Sequence, residues 1–193
     1  MKQFTSLKDI SMLRLVRILT LITALFTASC STTERVHPDK AKDTVGAPKY
    51  IFYFIGDGMG MAQVKIADAV LEDGQFLHMT TMPVSGMAST HAEDRYITGS
   101  AAAGTALATG HKTTIGTIAK NGSRSTDLKT MAEMARDKGM RVGIVSSVSI
   151  DHATPACFYA HANSRDMYAE IAVQMASSGF DYFGGGYARA GSR

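Results

Sequence analysis

Apolar positions along the chain fall either in short unbroken runs or at helical spacing. Tyr50-Ile51-Phe52-Tyr53-Phe54-Ile55 is a solid run of β-formers that stops at Gly56-Asp57-Gly58. That pattern predicts a strand buried on both faces of a parallel sheet. Met61 to Glu72 then has helical spacing and stops at Gly74. A second helix is expected from Ser100 to Gly110, with Ala101, Ala102, Ala103, Ala106 and Ala108 allowing close packing. Asp127 to Lys138 is the clearest helix: Leu128, Met131, Ala132 and Ala135 share a face, Thr126 can cap it and Gly139 can end it. Arg141 to Ser147 reads as a strand, Asp151 to Pro155 as a loop, Ser164 to Ser178 as a helix and Phe180 to Phe183 as a further strand. Strands alternating with helices predict an α/β fold, with a largely parallel central sheet flanked by helices and right-handed crossovers. No internal repeat interrupts this order.

The first 46 residues follow another rule. Lys2, Lys8, Arg14 and Arg17 precede an uncharged apolar run from Ile18 to Ala28, then Ser29 and Cys30. A basic start, a short apolar stretch and small residues before a cut describe an export signal over residues 1–29, too short to span a bilayer as a helix. The cysteine at its end predicts lipidation at Cys30, although Thr27 stands where such signals usually carry a larger aliphatic residue; ordinary cleavage is the alternative. Residues 30–46 are polar and read as a tether, leaving 47–193 as the folded domain. The product is expected to be exported to the periplasm or cell envelope, touching the membrane only through its lipid anchor.

Composition adds exclusions. The 193 residues are 45% hydrophobic and 19% charged, outside the range of disordered, collagenous or disulfide-scaffold chains. The formal net charge of +3 is carried by residues 1–30, so the rest is balanced and offers no basic face for nucleic acid. With Cys30 committed to lipid, Cys157 has no cysteine left to pair with and reads as a small buried hydrophobe.

Three clusters carry candidate chemistry, and their polar residues are read as falling just after strands, where open α/β sheets bind ligands. In Gly56-Asp57-Gly58-Met59-Gly60 the glycines let a carboxylate approach a metal or phosphate closely, or Asp57 simply caps the next helix. Ser100 stands at a helix start, where the dipole and unpaired N–H groups favour an alkoxide and anionic oxygens, or it is an ordinary N-cap. Without a nearby histidine, a metal is the favoured activator of its hydroxyl. In Asp151-His152-Ala153-Thr154-Pro155, His152 and Thr154 lie two apart on an expected extended segment, facing the same way as candidate metal ligands. Arg165 offers a planar fork for two phosphate oxygens.

Together these segments resemble the alkaline phosphatases. The resemblance rests on Ile55-Gly56-Asp57-Gly58-Met59-Gly60, on Ser100-Ala101-Ala102 running to Thr109-Gly110-His111-Lys112-Thr113, and on His152-Ala153-Thr154-Pro155-Ala156 with Ala160-His161 and Ser164-Arg165. It implies metal-dependent hydrolysis of phosphomonoesters with two zinc ions and one magnesium ion. By the same resemblance Asp57 bridges a zinc and the magnesium site. Ser100, beside the zinc, is the nucleophile that is phosphorylated and then freed by water. His152 and Thr154 lie around the magnesium, and Arg165 clamps the substrate phosphate. Dimers are common in the family, which makes a homodimer an expectation.

Two features depart from the family pattern. The residue before the nucleophile is commonly Asp, which helps to orient the arginine; here it is Gly99. Family members also run well beyond this length, and their later half supplies most zinc ligands. The chain therefore reads as the N-terminal portion of the enzyme, inactive when alone. A truncated, non-catalytic phosphate- or metal-binding lipoprotein is the alternative, as is another phosphohydrolase of the same superfamily.

Overall fold

The computed structural model describes residues 48–189. The expected signal, Cys30 and the tether lie outside the described residues. The chain divides into two units between Tyr53 and Phe54. In the first, residues 48–53 are exposed and outside any strand or helix. The expected strand over Tyr50–Ile55 does not form: Phe52 and Phe54 are 79% and 86% exposed. A strand buried on both faces needs ladder partners on each side, and among the described residues only one pair of strands forms a ladder.

In the second unit, helix α1 spans Met61–Ala69, α2 Ser100–Thr109 and α3 Met131–Asp137. Strand β1 (Gly143–Val145), α4 (Ala153–Ala156), α5 (Tyr168–Ser177) and β2 (Tyr182–Gly184) follow. β1 and β2 pair in parallel, with Ile144 opposite Phe183. The chain returns to that sheet through helices, as parallel pairing requires. The fold is α/β with a parallel sheet.

α3 starts four residues later than the sequence pattern suggests, for a local reason. The Asn121 side chain accepts from the N–H groups of Ser125 and Thr126, holding that stretch in a turn that competes with helix. Thr126 is thus not the cap. Thr130 takes the role: its hydroxyl accepts from Glu133 N–H at 3.1 Å, and Glu133 Oε2 accepts from Thr130 N–H at 2.8 Å. This reciprocal pair closes the helix start. At the other end Gly139 adopts φ +77°, and its N–H bonds to the Arg136 carbonyl.

The core gathers around α4. Ala153, Ala156, Cys157 and Ala160 are fully buried together with Ile118 and Ile171, and Phe180 and Phe183 pack against them. Cys157 is a buried small residue, as expected, and burial pushes its thiol up to about 12. α2 lies close against α4 because position 104 has no side chain. A Cβ on Gly104 would stand 3.1 Å from Cys157 Sγ and 3.6 Å from Thr154 Cα. That close approach brings the start of α2 and the start of α4 to one place.

Candidate active site

Asp57 occupies the turn that follows Ile55, and both of its carboxylate oxygens are used. Ser100 Oγ donates to Oδ1 at 3.1 Å, and Thr154 Oγ1 donates to Oδ2 at 2.9 Å. The contacts join residues 43 and 97 positions apart in sequence, so the grouping is a product of the fold. Ser100 is the first residue of α2. Its N-cap, Gly99, contributes no side-chain bond, so the first-turn N–H groups remain open to an anion's oxygens.

The segment Asp151–Pro155 is not the expected extended loop. His152 is the N-cap of α4, and Ala153 to Ala156 form a short helix. Pro155 fits there because the first helical turn lacks N–H partners in any case. The two side chains consequently diverge. Thr154 reaches Asp57, whereas His152 Nε2 lies 3.0 Å from Arg165 Nη2. A guanidinium can only donate, so Nε2 accepts and the imidazole proton sits on Nδ1. That Nδ1 is buried without a hydrogen-bond partner. Burial and then the Arg165 and Arg189 charges hold the His152 pKa below its ordinary value.

Three oxygen donors thus converge: the Asp57 carboxylate and the hydroxyls of Ser100 and Thr154. Such a set suits a hard divalent cation. It does not suit zinc alone, and among the described residues no three His, Cys, Asp or Glu side chains group to hold a metal.

Arg165 sits at one end of a strapped segment. Its N–H donates to the Gly116 carbonyl at 2.7 Å, while Ala162 and Ile118 exchange two bonds of 3.0 Å each. How this segment is held is not carried by the motifs. His161 Nε2 lies 3.0 Å from Glu133 Oε1, and its Nδ1 lies 2.9 Å from the Ala119 carbonyl. The available signal is the capping-box spacing of Thr130 and Glu133, with which Thr126 competes.

The sequence profile of the family described as alkaline phosphatase matches residues 48–182. This chain belongs to the alkaline phosphatase family. It is 37% identical to a streptomycin-6-phosphate phosphatase of Streptomyces griseus over 77% of its own length and 32% of the relative's. To the alkaline phosphatase of Escherichia coli strain K12 it is 35% identical, over 65% of this chain and 28% of that one. Among solved structures, the cold-active alkaline phosphatase of a psychrophilic Shewanella superposes with a TM-score of 0.61 at 37% identity, covering 66% of this chain and 33% of that one. The alkaline phosphatase of the Antarctic bacterium TAB5 gives a TM-score of 0.60 at 33% identity, over 66% and 36%; one variant of that enzyme is described with Mg bound in the M3 site. The chain spans about a third of the length of these relatives.

Proposed function

We propose that this chain is the N-terminal, nucleophile-bearing portion of an exported phosphomonoesterase that works through a phosphoserine at Ser100. The observation that supports the reading is the Asp57 carboxylate bonded at once to Ser100 and Thr154, with Arg165 as a donor of two parallel bonds to phosphate oxygens. Ser100 Oγ supplies the attacking oxygen, and its proton has a carboxylate oxygen waiting at 3.1 Å. Attack forms the bond from Oγ to phosphorus and expels the alcohol of the monoester; water then displaces the serine and releases inorganic phosphate. The open N–H groups at the start of α2 and the Arg165 fork orient the phosphoryl oxygens throughout.

Asp57, Thr154 and Ser100 would hold one hard cation, which when bound lowers the pKa of the serine hydroxyl and offsets phosphate charge. The family's two zinc ions find no complete ligand set among the described residues. His152 belongs with Arg165 in this reading and serves a magnesium site at most through water. Lipidation at Cys30, the polar tether and a place in the cell envelope complete the proposal; no helix of the described residues is long and apolar enough to cross a membrane. The alternative reading is a non-catalytic phosphate- or metal-binding lipoprotein.

Turnover of p-nitrophenyl phosphate by the full-length protein separates the two. The enzyme reading predicts turnover that Ser100→Ala abolishes and that Arg165→Ala weakens. Absence of turnover in the metal-loaded protein supports the alternative reading.

A further inference from the structure

We propose that His161 is a positioning residue for Arg165, acting as a doubly protonated imidazolium that pins one end of the segment whose other end carries the phosphate-binding arginine. The inference rests on the reading of Arg165 as a phosphate ligand. Both ring nitrogens of His161 face oxygens: the Ala119 carbonyl at 2.9 Å and Glu133 Oε1 at 3.0 Å. A carbonyl and an ionised carboxylate only accept, so both nitrogens carry protons. The main chain of His161 is held as well, since its N–H donates to Gln174 Oε1 at 2.8 Å and its carbonyl accepts from Gln174 Nε2 at 2.9 Å. The segment from His161 to Arg165 then runs antiparallel to residues 116–119 through the Ala162–Ile118 bridge and closes on Arg165 N–H to Gly116.

The opposing segment is itself under constraint. Ala119 is buried with φ +43°, a left-handed conformation that disfavours a residue with a side chain. Its N–H donates to Thr105 Oγ1 at 2.9 Å, its carbonyl accepts from Leu128 N–H at 2.8 Å, and the same carbonyl faces His161. Strain held by converging bonds in this way defines a fixed rail, and His161 is the side chain that fastens the Arg165 segment to it. Glu133 supplies the counter-charge from α3, its second oxygen already fixed by Thr130.

The test is a double-mutant cycle on inorganic phosphate inhibition of the full-length enzyme, with thermal midpoints measured alongside. His161→Gln should raise the phosphate inhibition constant about tenfold, within the range of coupling between residues that act through one another. In an Arg165→Ala background the same substitution should change it less than twofold, because the effect passes through the arginine. A merely structural histidine would lower the thermal midpoint yet leave the two effects additive, and that result overturns the proposal, as does an unchanged constant in His161→Gln. Glu133→Gln, which keeps the capping geometry, must show the same dependence on Arg165 and decides the matter if His161→Gln does not fold. If Arg165→Ala alone leaves the constant unchanged, the reading of Arg165 fails, and this inference with it.

Discussion

The hydroxyl of Ser100 donates to Asp57 Oδ1 at 3.1 Å, which places the first residue of α2 against the carboxylate of a distant turn. Asp57 is shared between Ser100 and Thr154, and that sharing depends on how closely α2 approaches α4, which Gly104 allows. It also leaves the residue before the serine unused. Gly99 is extended, at φ −140° and ψ 166°, and caps α2 without a side chain.

Gly99→Asp is accordingly expected to be accepted. The nearest atom to an added Cβ is Ile115 Cδ1 at 3.8 Å, an ordinary contact. Aspartate is a better N-cap than glycine by a few tenths of a kcal/mol, so the thermal midpoint should hold or rise slightly. Phosphate inhibition should tighten if the new carboxylate takes the arginine-orienting role that the family resemblance gives to an Asp before the nucleophile. Weaker inhibition with an intact fold would show that the carboxylate competes with the substrate anion.

Cys157 should be unreactive in the native protein. Burial is the main cause of its raised pKa, and its Sγ donates to the Ala101 carbonyl at 3.2 Å. At pH 8 almost none is thiolate, and the thiolate is the reactive form. Iodoacetamide labelling followed by peptide mapping should modify Cys157 only after unfolding. Native-state labelling at the rate of a free thiol would contradict the packing of α2 on α4.

The His161–Glu133 pair sets a pH dependence of stability. Burial alone would pull the His161 pKa down, but the Glu133 bond and the Ala119 carbonyl outweigh it and hold it above its ordinary 6.5. Its stabilisation is therefore full below that value and lost as pH rises through the raised one. Burial likewise opposes ionisation of Glu133, but the His161 and Thr130 bonds prevail and its pKa lies below its ordinary 4.5. That contribution is present above 4.5 and lost as pH falls through the lowered value. The pair thus contributes most between about pH 4.5 and 6.5. Urea midpoints against pH should fall on the alkaline side in the native protein and flatten in His161→Gln; parallel curves would dismiss the pair as a source.

How much of this was legible in the sequence depended on range. The extents of α2 and its ending at Gly110 follow from local spacing and a glycine at φ +76°. The parallel pairing of β1 with β2 follows from the alternation of elements. The strand over Tyr50–Ile55 was misread because a solid apolar run signals burial only if neighbouring strands cover it. The cap of α3 was misread because two threonines compete and the Asn121 turn decides between them. Within the site, the motifs named Asp57, Ser100, Thr154 and Arg165, yet the partner of each came only from the fold. His152 shows the limit: its spacing from Thr154 suggested a shared direction, and one helical turn sent it to Arg165 instead.

Metal content offers an independent check. A catalytic zinc ordinarily needs three protein ligands, and among the described residues no such group of His, Cys, Asp and Glu exists. Residues 31–193 produced alone and dialysed should retain no stoichiometric zinc and show no phosphatase turnover. Tight zinc with turnover that depends on Ser100 would mean that the site is more complete than its ligands suggest.

The central claim is that Ser100 forms the covalent intermediate. The direct measurement is to incubate the full-length, metal-loaded protein with p-nitrophenyl phosphate, quench in acid and map the phosphate by mass spectrometry. Trypsin releases Ser100 on the peptide from Tyr96 to Lys112, which also holds Thr98, Thr105 and Thr109. The account predicts phosphate on Ser100 alone, lost in Ser100→Ala together with turnover. Phosphate on another residue, or turnover that survives Ser100→Ala, would contradict it.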